Sequence, residues 1–182
     1  WNVKRLRPAE LWPYDYDEPQ PTTLLWVSEG ITDYYADLAL VRGEIVTPDD
    51  FYSLTQDKVT TVAESPPVAL EDASLSTWID PIDGSRYVYY PKGSLAGLLL
   101  DIQIRDASDN RASLDAVLRD LYTTVYKGAQ GFTVEQWWQA VSRAAGGKSF
   151  AEFAERHIDG REPFPYTQVF PLAGFAFRAD SA

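Results

Sequence analysis

The chain has 182 residues, 45% apolar and 14% aromatic, which supports a sizeable core and excludes a disordered segment. Its 27 acidic residues against 16 basic give a net charge of −11, and its only basic cluster, Lys4-Arg5-Leu6-Arg7, is short, so nucleic acid and anionic membrane surfaces are poor partners. The absence of cysteine excludes disulfides and thiolate metal sites, the lone histidine, His157, leaves a zinc site built wholly from this chain short of ordinary ligands, and no apolar run approaches a membrane span.

The sequence opens at Trp1 and contains no methionine, so it is expected to be part of something longer. Residues 1–21 carry Pro8, Pro13, Pro19 and Pro21 among Trp12, Tyr14 and Tyr16. They read as an extended, ordered connection, because proline blocks helix and the rings need a surface to pack on. Residues 23–42 read as a helix, with Val27, Ile31, Leu38 and Val41 at helical spacing and Gly43 as the stop. Thr47-Pro48-Asp49-Asp50 is a strong start for the next helix, which is expected to run to about Glu64.

A short helix is expected near Leu70 to Trp78, and Arg86 to Tyr90 reads as extended at best. Gly93 to Arg105 reads as a strongly apolar helix. Ser113 caps another that ends near Tyr126, with Gly128 behind it. Thr133 with Gln136 and Ser149 with Glu152 have capping-box spacing, and start helices ending near Gly146 and His157. The result is a helical body over 23–159 and, from Gly160 to residue 182, a coil tail. There is no internal repeat and no flexible linker.

Glu29 lies in Trp26-Val27-Ser28-Glu29-Gly30-Ile31-Thr32-Asp33. On a regular helix Glu29, Thr32 and Asp33 share one face, with Asp37 nearby. Periodicity alone makes this a solvated acidic face. Tyr87, Tyr89 and Tyr90 read on composition as packing aromatics. His157 is a helix-end histidine favoured by the helix dipole. Lys4, Arg5 and Arg7 are active-site cations or, by preference, structural ion pairs with the abundant acids.

The segment Trp26 to Gly30 resembles the W-x-x-E-G motif of the gluzincin zinc metallopeptidases. Trp1-Asn2-Val3-Lys4-Arg5-Leu6-Arg7-Pro8, Asp15-Tyr16-Asp17 and Leu24-Leu25-Trp26 are similar to one branch of them, the glycyl aminopeptidase family. Val62-Ala63-Glu64, Tyr89-Tyr90-Pro91-Lys92-Gly93, Ser113-Leu114-Asp115 and Glu162-Pro163-Phe164-Pro165-Tyr166 continue the likeness in the family's order. The resemblance implies a mainly α fold, the helical lobe of a thermolysin-like (gluzincin) metallopeptidase catalytic domain, without the upstream H-E-x-x-H helix.

It also implies roles. Glu29 would be the third zinc ligand, after the two histidines of H-E-x-x-H, with Asp33 and Asp37 behind it. Tyr90 matches the tyrosine of the Y-x-K-G motif that donates to the oxyanion of the tetrahedral intermediate, and Tyr89 competes for that role. One departure stands at Ala36, where aminopeptidase-N-like enzymes commonly carry a second glutamate. The parent protein would be a zinc aminopeptidase that removes small N-terminal residues from a peptide substrate. The isolated chain is expected to bind no zinc, to be inactive and, with an apolar face uncovered, to self-associate. The alternatives are a non-enzymatic helical module that binds a peptide or protein, and a degenerate peptidase homologue.

Overall fold

A computed structural model describes residues 2–79, 81 and 83–176. Trp1 of the opening motif and residues 177–182 of the expected coil tail lie outside them. The architecture is helical. Among the described residues extended pairing is limited to the isolated bridges Asn2–Leu6 and Pro8–Phe132.

Among the described residues the α-helices are α1 (Ile31–Arg42), α2 (Pro48–Glu64), α3 (Leu70–Ser76), α4 (Tyr89–Ala107), α5 (Leu114–Thr124), α6 (Val134–Ala144), α7 (Ala151–Phe153) and α8 (Tyr166–Val169). A five-residue π-helical turn, Trp26–Gly30, leads directly into α1, and a second, Ala154–Ile158, follows α7.

Helix α4 is the axis of the fold. Leu95, Ala96, Leu99, Leu100 and Ile104 are at most 1% exposed, and α1, α2, α3, α5, α6 and α8 all pack on it. A helix apolar on nearly every side is stable only when surrounded in this way. One polar residue inside it is fully used: Asp101 accepts from the Tyr34 hydroxyl at 2.9 Å, Arg105 Nε at 3.1 Å and the Leu114 amide at 2.6 Å. The last bond ties α4 to the first turn of α5, whose early amides have no partner within their own helix.

The starts of α2 and α6 form as their sequences dictate. Thr47 and Asp50, and Thr133 and Gln136, exchange the two bonds of a capping box. The Ser149–Glu152 pair does not. Ser149 Oγ accepts from the Ala151 amide at 3.2 Å, while Glu152 turns to Arg156 at 3.0 Å.

Three other expectations change. Helix α4 begins at Tyr89, where residues 86–90 read as extended; Pro91 falls in its first turn, where a missing N–H costs nothing. The tail after Gly160 is not all coil. Residues Tyr166–Val169 form α8 and Phe170–Ala173 a 3-10 turn, because Val169 and Phe170 are buried against the body. Arg5 and Arg7, expected in ion pairs, lie over rings instead: Arg5 over Tyr126 at 5.9 Å, and Arg7 over Trp12 at 5.5 Å.

Candidate active-site half

The π turn fixes the position of Glu29. In it the Ile31 amide bonds to the Trp26 carbonyl, five residues back, so the chain leaves the regular helical register just where Glu29 sits. Trp26 anchors the turn. Its ring is fully buried, with the Trp137 ring edge-on at 5.7 Å, and its amide donates to Ser74 Oγ at 3.1 Å. On the outer side Asn2 Nδ2 donates to the Val27 carbonyl at 3.0 Å, the Ser28 carbonyl at 3.3 Å and Thr32 Oγ1 at 3.0 Å. The opening segment is thereby stitched to the turn.

Helix α4 crosses this turn at closest range through two glycines. A Cβ built on Gly30 would stand 2.6 Å from Gly93 Cα and 2.6 Å from the Tyr89 carbonyl oxygen. One on Gly93 would stand 2.8 Å from the Trp26 carbonyl oxygen and 3.0 Å from Gly30 Cα. The terminal glycines of Trp26-x-x-Glu29-Gly30 and Tyr90-Pro91-Lys92-Gly93 therefore meet, and no larger residue allows that approach.

The crossing brings the two predicted site residues together. The Tyr90 hydroxyl donates to Glu29 Oε2 at 3.1 Å. Burial, then the negative charge of Glu29, pushes the Tyr90 phenol above its ordinary value, so it is a neutral donor at pH 7. Tyr89 lies beside it, ring to ring at 4.9 Å, but is 5% exposed and packs into the core. Glu29 itself is only partly buried, and no cation pairs with it among the described residues.

Asp33 and Asp37 go elsewhere. Lys58, reaching over from α2, pairs with Asp33 at 2.7 Å and Asp37 at 2.5 Å, and also donates to Ser94 Oγ of α4 at 2.9 Å. The face expected to present Glu29, Thr32 and Asp33 together is thus divided among Tyr90, Asn2 and Lys58. Sequence spacing places side chains on a helix face but does not choose their partners. Lys58 carried no signal in the sequence, and Asn2 stood out only as one residue of the opening motif, without a role.

Ala36 lines an apolar cleft of about 470 Å³ with Thr32, Tyr35, Leu118 and Tyr122. His157 is buried between Phe153 and Phe164, with Nδ1 3.3 Å from the Glu162 carbonyl oxygen. Among the described residues no three His, Cys, Asp or Glu side chains come together in a group able to hold a metal. Around the π turn, Asn2 Oδ1, Trp26 Nε1 and Ser28 Oγ are buried without a hydrogen-bond partner among the described residues.

The chain is similar in fold to an aminopeptidase N family protein from Idiomarina loihiensis, at a TM-score of 0.83 and 22% identity over 94% of this chain. It spans 30% of that protein's length. No curated protein matches it. The profile of the M61 glycyl aminopeptidases matches residues 1–96, more than half of the 182 residues and the stretch that holds both Glu29 and Tyr90. The chain belongs to the M61 glycyl aminopeptidase family.

Proposed function

We propose that this chain supplies half of the active site of a zinc aminopeptidase: Glu29 as one of three protein ligands to the metal, and Tyr90 as hydrogen-bond donor to the developing oxyanion. The observation that carries the reading is the 3.1 Å contact between the Tyr90 hydroxyl and Glu29 Oε2, held by helices whose backbones touch at Gly30 and Gly93.

The residues present suit a zinc site that is completed from outside. Glu29 is an anionic oxygen ligand, partly exposed and without a cation among the described residues. Carboxylate oxygen is an ordinary ligand for zinc, usually beside two histidines and a water. In this reading the histidines and the general base belong to an H-E-x-x-H helix outside the described residues. Bound there, zinc would polarise the scissile carbonyl and acidify its water.

The chain's own residues do the rest. Trp26, Ser74 and Asn2 hold the π turn, and so the direction of the Glu29 carboxylate. Lys58 shares its single positive charge between Asp33 and Asp37, while Glu29 has no cation among the described residues. The Tyr90 phenol, kept neutral by burial and by Glu29, is a directional donor that would turn from the carboxylate to a substrate oxygen. The substrate class follows from the family, a peptide with a small N-terminal residue such as glycine or alanine.

The test is Glu29→Gln in a protein that carries this chain behind an H-E-x-x-H helix. The variant keeps volume and loses the anionic ligand, so zinc content by metal analysis and aminopeptidase turnover fall together. Full metal content with full turnover refutes the assignment. A helical binding module or a degenerate homologue would show neither zinc nor turnover before substitution.

A further inference from the structure

On a different face, a cleft of about 540 Å³ opens between α2, residues 65–68, the first turn of α4 and residues 161–167. Neither Glu29 nor Tyr90 lines it. Its lining includes Val62, Pro67, Val68, Val88, Phe164 and Lys92.

Lys92 is 7% exposed. Its Nζ donates to the Val68 carbonyl at 2.5 Å and lies 5.8 Å from the Phe164 ring, and both of these residues line the cleft. An ammonium has three donors, and the carbonyl takes one. No carboxylate pairs with Lys92 among the described residues. Burial alone pulls its pKa down to about 8, so it is still mainly charged at pH 7. A buried, unpaired charge in apolar surroundings is costly, and an incoming anion relieves that cost.

The other charges at the mouth are already matched. Arg161 faces Asp72 at 3.5 Å, and Glu162 is held by Arg156 at 2.8 and 2.6 Å. Among the described residues the uncompensated charge at this cleft is therefore positive, and it is buried among apolar residues.

We propose that this cleft binds a small carboxylate with an apolar body, the carboxylate on the Lys92 ammonium and the body against Val62, Val88 and Phe164. The site is separate from the Glu29–Tyr90 pair and does not depend on zinc. Two sources offer this chemistry: a free medium-chain fatty acid, and the C-terminus of a peptide that ends in an apolar residue.

Isothermal titration of the 182-residue chain tests it, with octanoate and N-acetyl-leucinate as probes. Octanol and N-acetyl-leucinamide are the uncharged matches. At least one carboxylate is expected to saturate at one site per chain, with its uncharged match at least about 10-fold weaker and Lys92→Met weaker by roughly 10–100-fold, the range for a hydrogen bond to a charged group. Saturation by octanoate alone assigns the fatty-acid source, and by N-acetyl-leucinate alone the peptide terminus. Val62→Trp leaves Lys92 in place and fills the cleft, so it too is expected to abolish binding; it carries the test if Lys92→Met fails to fold. The proposal is overturned if neither carboxylate saturates, if the uncharged matches bind equally, or if affinity is unchanged in Val62→Trp or in folded Lys92→Met.

Discussion

Replacing Gly93 by alanine adds a single methyl group where two backbones touch. The new Cβ would lie 2.8 Å from the Trp26 carbonyl oxygen, against 3.4 Å or more for an ordinary contact, and 3.0 Å from Gly30 Cα. Neither neighbour is a flexible side chain, so the π turn and α4 must separate by about half an ångström, the shortfall between those distances. Overpacking of this kind costs about 1–3 kcal/mol, and alanine returns roughly 0.5–1 kcal/mol of helix propensity. The net loss is about 1–2 kcal/mol, or roughly 2–8 °C in Tm for a domain of this size.

Thermal and urea unfolding of the chain measure it. Gly30→Ala is expected to cost more, because its Cβ would stand 2.6 Å from both Gly93 Cα and the Tyr89 carbonyl oxygen. Gly128→Ala is the control, since nothing lies within 4 Å of its Cβ. In the complete enzyme, separating the helices also loosens Tyr90 from Glu29, so kcat falls in Gly93→Ala along with stability. A Gly93→Ala protein that melts with the wild type refutes the close crossing.

Other substitutions test separate parts of the argument. Tyr90→Phe in the complete enzyme is expected to lower kcat on the order of 10²–10³-fold with KM little changed, while Tyr89→Phe costs far less; steady-state kinetics that reverse this order move the oxyanion donor to Tyr89. Lys58→Met leaves Asp33 and Asp37 without their cation and is expected to destabilise the chain by about 1–3 kcal/mol in urea titration, whereas an unchanged midpoint makes the clamp a surface pair without weight. Glu71 is half-buried, and burial with the nearby Asp159 and Asp72 pushes its carboxyl up to about 7 from 4.5. The folded state then holds a proton that the unfolded state has released, so stability is lost as pH rises from about 5 to 7. Glu71→Gln is expected to flatten that slope in Tm against pH, and an unchanged slope assigns it to other groups.

The parts of the fold that the sequence disclosed are those coded by a few adjacent residues. Thr47 with Asp50 and Thr133 with Gln136 mark helix starts because the cap is a local exchange of two hydrogen bonds. The same spacing at Ser149 and Glu152 misled, because Arg156 competes for the glutamate. The start of α4 at Tyr89 was hidden by Pro91, which looks like a breaker until its place in the first turn is known. Glu29 and Tyr90 were legible through motifs, but their contact was not, since 61 residues separate them and a glycine's spatial partner leaves no trace in its neighbours. The π turn was equally hidden, since no periodicity of 3.6 registers an extra residue, and the separate partners of Glu29, Thr32 and Asp33 lie far off in sequence.

The Gly30–Gly93 contact also governs motion. Glu29 and Tyr90 are each next to, or within one turn of, a glycine in that contact, so no joint lies between them. Any shift of the π turn carries α4 with it, and the backbones that bear the carboxylate and the phenol travel together. If the proposed enzyme is right, breathing that admits substrates of different bulk takes place across the boundary with the other half of the site, and the backbone positions that carry the carboxylate and the phenol stay fixed relative to each other from one turnover to the next.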